Sequence, residues 1–437
     1  MKIAYFLRSL DFLFVRGNEN ELFAILPENS YEEETARKEL NLKNLIPVKL
    51  KKKVNFSELT CEEIIKYSNI LKKLKDFRID CILVRNSSSY LKNWSLKNKI
   101  TLLSLPYQLQ KKFENKIYFE RFLRKTSLNY MKSEILNSKK DIMPFLKTVI
   151  QIPNSNGGEG TFIVKEKKSF KKILSKLKLP VLAREYKEGL PLSSSIFIKK
   201  GEIYLTSIER QCYLETKNKN GLGDFIGIQW LPHTFFTEKI YRNIENSLLS
   251  IGAQLEKFNL SGLVNIDFIL DKDGNVNFIE CNPRIACATN QIMANKELRN
   301  SKDFLKLLLS HYLKNFKYDI RKPKKHLPKS LFCGVQMFID LPNSTKFPVK
   351  IKKFKPSGFY ILATGKIKKI NLKNRFDFLK LKKGLFYYNE INKEEVYNKN
   401  CQIGTVISNF PLYVFESGDL NQEGKIVYNF FHENSRL

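Results

Sequence analysis

Short apolar runs near the N-terminus, Ile3 to Leu7, Leu22 to Leu26, Cys81 to Val84 and Leu102 to Leu105, alternate with helix-like stretches such as Glu62 to Lys75. That alternation predicts a small α/β layer over residues 1–112. Phe113, Ile117, Phe119, Phe122 and Leu123 then fall on one helical face and predict a linker helix with Asn115 and Lys116 near its start. Strand candidates follow in quick succession: Val149 to Ile152, Thr161 to Val164, Val181 to Glu185, Ser195 to Ile198, Ile203 to Glu209, Leu263 to Leu270 and Val276 to Glu280. Their short connections predict antiparallel pairing. Asp271-Lys272-Asp273-Gly274-Asn275 reads as a hairpin turn, and a helix from Glu238 to Phe258 precedes that hairpin. Further on, Leu331 to Ile339, Gly358 to Ile370, Leu385 to Tyr388 and Ile403 to Ser408 are β-rich. The whole predicts an α/β (α+β) chain with units at 1–112, 113–325 and 326–437; the middle unit holds a lid at about 145–190 and a hairpin at 263–284.

Composition narrows the class. A length of 437 residues, 43% of them hydrophobic, suits two or three packed units with no disordered section. A formal net charge of +32 would suggest nucleic acid, an anionic membrane or an acidic substrate. The excess is mostly Lys, however, spread from Lys2 to Lys425. Its densest runs (Lys49 to Lys53, Lys165 to Lys172, Lys322 to Lys325) have few interleaved aromatics. Phosphate readers cluster Arg and stacking residues, so nucleic acid is not the expected partner. The cysteines Cys61, Cys81, Cys212, Cys281, Cys287, Cys333 and Cys401 form no CxxC pair, which fits reduced thiols in a cytoplasmic protein. The first apolar run is too short for a signal peptide, and no stretch reaches the ~18 apolar residues of a membrane helix.

The chemistry concentrates in Asn265-Ile266-Asp267-Phe268-Ile269-Leu270, a turn, then Val276-Asn277-Phe278-Ile279-Glu280-Cys281-Asn282-Pro283-Arg284. A hairpin closed at Asp271 to Asn275 sets Asp267 and Glu280 on facing strands and points Glu280 and Asn282 to one face. Three hard oxygen donors suit Mg²⁺ or Mn²⁺ bridging nucleotide phosphates, and Arg284 lies where a guanidinium can hold a transferring phosphoryl group. Carboxylates inside apolar strands are costly without such a partner. Asp271, Asp273 and Asn275 mimic the start of an EF-hand loop, but its glycine falls at the wrong place and Asn282 replaces the closing Glu. A second signal is Asn154-Ser155-Asn156-Gly157-Gly158-Glu159-Gly160-Thr161, a glycine-rich turn between strands whose backbone N–H groups can cradle phosphate. It is neither a Walker A loop nor a dinucleotide fingerprint. His233, His311, His326 and His432 show no metal spacing.

With these pieces in this order, residues 100–315 resemble the ATP-grasp superfamily. The resemblance implies ATP and Mg²⁺ (or Mn²⁺) bound between two lobes. The metal ligands it implies are Asp267, Glu280 and Asn282, with Arg284 and Asn282 at the reacting phosphoryl group. It implies nucleotide contacts from Lys116 in the linker helix, from the loop at Gly157, Gly158 and Gly160, and from the strand around Glu185 and Tyr186. Lys217 or Lys219, after Glu209-Arg210-Gln211-Cys212, would reach phosphate. The family normally places a second lysine ahead of the glycine loop; Gln151 stands there, as in some peptide-ligase branches. Gln402 to Ser408 resembles the closing β lobe of carboxylase-like members, yet no biotin attachment segment is evident and Ala288 stands where carboxylases carry an acid. The implied activity is therefore ligation of a small carboxylate to an amine through an acyl phosphate, by a cytoplasmic enzyme for which a homodimer is an allowed assembly. The alternatives are a carboxylase, a phosphotransferase or a non-catalytic binder of nucleotide or nucleic acid.

Overall fold

The structure, a computed structural model, describes residues 1–6, 22–39, 41–50, 59–155, 158, 160–199, 201–214, 224–284, 311–312, 327, 329, 331–341, 345–346, 349–351, 354–372, 375–390, 397 and 402–432. β1 (Ile3–Phe6), β2 (Leu22–Pro27), β3 (Leu45–Val48), β4 (Cys81–Leu83) and β5 (Thr101–Leu103) form a parallel sheet in the order β3-β2-β1-β4-β5. Tyr5, Leu26 and Leu83 pack on one face and Ala4, Ile25 and Ile82 on the other, which is why these strands read as unbroken apolar runs. α1 (Tyr31–Lys38), α2 (Cys61–Tyr67), α3 (Ile70–Asp76) and α4 (Ser89–Asn98) belong to this layer. The single helix expected from Glu62 to Lys75 is two. Ser68 is extended (φ −121°), and its hydroxyl accepts the Ile70 N–H at 3.2 Å, which restarts the chain as α3.

The linker is also broken, into α5 (Tyr107–Glu114) and α6 (Lys116–Leu123). Asn115 leaves helical geometry (φ −73°, ψ 111°) and caps α6 by accepting the Tyr118 N–H at 3.0 Å. Beyond it, β6 (Ser133–Leu136), β7 (Thr148–Gln151), β8 (Thr161–Val164) and β9 (Val181–Glu185) make an antiparallel lid sheet in the order β6-β9-β7-β8. α7 (Lys167–Lys176) covers one face, with Phe170 and Leu174 against Ile150, Val164 and Ala183.

The largest sheet begins with β10 (Leu190–Lys199), β11 (Glu202–Leu205), β12 (Glu209–Leu214), β13 (Asp224–Trp230), β14 (Gly262–Leu270) and β15 (Val276–Asn282). It continues into β16 (Val335–Asp340), β17 (Gly358–Ala363), β18 (Lys366–Ile370), β19 (Gly384–Asn389) and β20 (Gln402–Ser408). Its order is β15-β14-β10-β12-β13-β16-β20-β19-β17-β18, with β11 beside β10. The strand expected from Ile203 to Glu209 splits at Thr206, whose hydroxyl accepts the Ser195 N–H (2.9 Å) while its own N–H donates to the Ser195 carbonyl (3.0 Å). The strand expected from Leu331 starts only at Val335. Contact between β13 and β16 requires Gly227, at φ +143°, because a Cβ there would strike the Gln336 carbonyl. α8 (Glu238–Lys257) buries Ile244, Leu248, Ile251 and Leu255 against Ile196, Val264 and Phe268. α9 (Gln422–His432) adds Val427 and Phe431 to the C-terminal core. Among the described residues no helix is long and apolar enough to cross a membrane, and Cys61, Cys81, Cys212, Cys281 and Cys333 are free thiols.

The turn between β14 and β15 is tied by Asp271. Its Oδ1 accepts the N–H groups of Asp273 (3.1 Å) and Asn275 (2.9 Å), and its Oδ2 meets Lys187 Nζ at 3.2 Å. Burial alone would push this carboxyl up, but those donors, with the side-chain amides of Asn275 and Asn277, hold it at about 2. Asp271→Ala is expected to cost about 1–3 kcal/mol of stability at pH 7. A carboxyl held below its usual value stabilises the fold above that value and loses the effect as pH falls towards its folded pKa, so the gap between variant and wild type should narrow below about pH 4. Urea titrations across pH check this; a gap that stays constant contradicts it.

Candidate active site

Pairing of β14 with β15 sets Asp267 opposite Glu280 and Asn265 opposite Asn282, with a bulge after Asp267. The amide of Asn265 donates to Asp267 Oδ1 (2.9 Å) and that of Asn282 to Asp267 Oδ2 (3.2 Å). Arg284 Nη2 donates to Asn282 Oδ1 at 3.0 Å, which turns that carbonyl towards the guanidinium and its amide nitrogen towards the acid. Burial and the facing Glu280 push Asp267 up to about 7, while Arg284, Asn265 and Lys116 pull it back. Behind it lies Glu209, fully buried, accepting from Trp230 Nε1 (3.0 Å) and Ser193 Oγ (3.4 Å). Ser193 is the register partner of both Asp267 and Glu209.

The break at Asn115 brings two opposite charges to this hairpin. Glu114 Oε1, the last residue of α5, accepts from Arg284 Nε at 2.6 Å. Lys116 Nζ, at the start of α6, lies 3.3 Å from Glu280 Oε1 and donates to the Ser155 carbonyl at 2.5 Å. Lys116 is buried despite its charge, and its backbone N–H donates to the Pro153 carbonyl at 2.9 Å. One short segment thus grips both the hairpin end and the base of the glycine-rich turn. In that turn Gly158 (φ +80°) and Gly160 (φ +76°) are left-handed; a Cβ on Gly160 would stand 2.9 Å from Ile152 Cδ1.

Of the residues expected from the sequence, Asp267, Glu280, Asn282, Arg284 and Lys116 therefore come together. Gly157, Lys217 and Lys219 lie outside the described residues. Gln151 is buried, its Oε1 accepting from Arg184 Nη1 at 2.8 Å. At the hinge the Glu185 side chain is exposed. The Glu185 and Tyr186 N–H groups are bound to the carbonyls of Lys132 and Lys147, and Lys147 Nζ sits over the Tyr186 ring. Sequence reasoning missed Asn265, two residues before Asp267 on the same face, where strand alternation was the available signal. It also missed Glu114 and the buried pair Glu120–Arg184, which carry no local signature.

Two facing carboxylates with an adjacent amide oxygen can hold a hard cation, and Arg284 beside them can neutralise a phosphoryl oxygen. Residues 113–288 match the family model of the ATP-grasp domain. This segment is an ATP-grasp domain. Solved structures align along nearly the whole chain. Biotin carboxylase from Campylobacter jejuni aligns at a TM-score of 0.58 and 12% identity over 97% of this chain and 89% of that one. L-amino acid ligase from Bacillus licheniformis gives 0.57 and 12% over 99% and 97%. Phosphoribosylamine–glycine ligase from Thermotoga maritima gives 0.57 and 14% over 93% and 92%. At such identities the likeness shows the fold. An uncharacterized protein of Methanocaldococcus jannaschii is 24% identical over 281 residues, which is 63% of this chain and 66% of that relative's length.

The Glu114–Arg284 pair joins residues 170 positions apart with the guanidinium largely buried, so its energy should be measurable. Glu114→Gln, Arg284→Met and the double variant are expected to show a coupling of about 1–3 kcal/mol in a double-mutant cycle of urea stability. Additive single effects would contradict the pairing.

Proposed function

We propose that this protein uses MgATP to activate a small carboxylate as an acyl phosphate and passes the acyl group to an amine, releasing ADP and phosphate. The observation that carries this reading is the hairpin face on which Asp267, Glu280 and Asn282 converge beside a braced Arg284. The ATP-grasp domain and the fold shared with L-amino acid ligase and phosphoribosylamine–glycine ligase support it.

The donor set fits Mg²⁺. Among the described residues no three His, Cys, Asp or Glu side chains gather, so the protein offers a cation two carboxylates, and the Asn282 amide oxygen would join them on turning from Arg284. Mg²⁺ accepts such a sparse set because it keeps water and phosphate oxygens in its shell. When bound it supplies charge to the β- and γ-phosphates and orients them for displacement. Lys116, which meets Glu280 in its absence, would exchange that contact for nucleotide phosphate. Arg284, held in place by Glu114 and Asn282, would neutralise the transferring phosphoryl group. A carboxylate oxygen attacks the γ-phosphorus as the bond to ADP breaks; the amine nitrogen then attacks the acyl carbon, phosphate leaves, and the amine proton passes to solvent. Catalysis here is positioning and charge neutralisation, with no covalent enzyme intermediate.

The full-length likeness to biotin carboxylase keeps carboxylation as a second reading, and product mass separates the two. With MgATP and pooled amino acids and small carboxylates, substrate-dependent ADP should appear with a product equal to two substrates minus water. A carboxylated product, or no substrate-dependent ADP, contradicts ligation. Glu280→Gln, which keeps an acceptor for the buried Lys116, should abolish turnover with the protein still folded in an unfolding titration; full activity in that variant would remove the metal assignment. Because Asp267 sits near 7, it must lose a proton to take a cation. Mg²⁺ affinity should therefore weaken below pH 7, by up to about tenfold per unit, and calorimetric titration at several pH values checks that; affinity flat from pH 8 to 6 contradicts it.

A further inference from the structure

The lid face that looks away from α7 carries Gln151 and Arg184 side by side. β7 and β9 pair with Val149 opposite Arg184 and Gln151 opposite Leu182, while Ile150 and Ala183 face α7. Arg184 is 1% exposed. Its Nε and Nη2 donate to Glu120 Oε2 at 3.1 and 2.9 Å, and its Nη1 to Gln151 Oε1 at 2.8 Å. A guanidinium can only donate, so the amide oxygen of Gln151 must be the atom that meets it, and the –NH₂ must turn away. Among the described residues that –NH₂ has no hydrogen-bond partner. Gln151 ends β7 at the entrance to the glycine-rich turn. Lys116 and Glu120 are one turn apart on α6, so the helix that holds Glu120 against Arg184 also carries the Lys116–Glu280 contact.

Charge explains why this position is not a lysine. Glu120 balances one buried cation, and a second ammonium against Arg184 would be a desolvated like-charge contact. We propose that Arg184 and Glu120 are positioning residues that fix Gln151 as an oriented, uncharged N–H donor to the nucleotide. This rests on the nucleotide-binding reading above. The donor would serve an acceptor atom of the nucleotide, on a phosphate or on the base, and comparing ADP with adenosine tells which.

The test is calorimetric titration of the full-length protein with MgADP, alongside unfolding midpoints. Gln151→Glu keeps a partner for Arg184 but removes the donor, so its midpoint should hold or rise while affinity falls tenfold or more. Gln151→Lys should lower both the midpoint and the affinity in the wild-type background. In Glu120→Gln/Arg184→Met, where the buried pair is gone, the same Gln151→Lys change should raise affinity instead, a reversal that a merely structural role for the pair would not produce. Wild-type affinity in Gln151→Glu, or a lysine that acts alike in both backgrounds, overturns the proposal. If the wild type binds no nucleotide, the functional reading itself fails and the proposal falls with it. Should the loss in Gln151→Glu appear for ADP and not for adenosine, the acceptor is a phosphate oxygen; an equal loss for both places it on the base.

Discussion

Glu114 and Lys116 flank the residue at which the linker helix breaks, and each meets a charge of opposite sign on the hairpin formed by β14 and β15. Arg284 and Glu280 belong to the same strand end, yet they need opposite partners, and a continuous helix would carry positions 114 and 116 on different sides. The Asn115 cap resolves this by ending one helix and starting another in the space of one residue. Through Lys116 the same joint reaches the base of the glycine-rich turn, so hairpin, linker and lid meet at one point. Removing Glu114 would take a carboxylate partner from the largely buried Arg284 guanidinium, and removing Lys116 would take the ammonium from Glu280, so the joint sets the geometry around it.

Charges of both signs meet around the hairpin. Asp267 and Glu280 face Lys116 and Arg284, and deeper in the lid Glu120 faces Arg184. A divalent cation held by Asp267 and Glu280 would take the place of the Lys116 contact with Glu280, and Lys116 would then serve the phosphates that accompany the cation. Gly158 and Gly160 keep the overlying turn compact, and the Lys187–Asp271 contact ties the hinge to the hairpin turn, so lid and floor are joined on both sides of the cleft.

Much of this was legible from residue order because it is local. Alternation within Asn265 to Arg284 put Asp267 and Glu280 on facing strands, but the register set by the turn alone would pair Asp267 with Ile279, and the bulge after Asp267 is what brings Glu280 opposite it. The bounds of β8 and β9 follow from short apolar runs flanked by turn residues. β13 escaped notice because its apolar run is interrupted by Gly227, whose purpose is a close approach to a strand more than a hundred residues later. The break at Asn115 was hidden by an apolar stripe that runs across it. Long-range side-chain pairs left no trace at all: Arg184 meets Glu120 across 64 residues and Gln151 across 33, and no spacing rule links such positions. Gln151 therefore looked like a lost lysine when its surroundings explain an amide.

The most direct test is a crystal of the protein grown with Mn²⁺ and ADP, with the ion located by anomalous scattering. An ion about 2.1 Å from oxygens of Asp267, Glu280 and Asn282 and from a phosphate of ADP is the predicted result. An ion bound elsewhere, or a nucleotide outside the cleft between the lid sheet and this hairpin, would contradict the account.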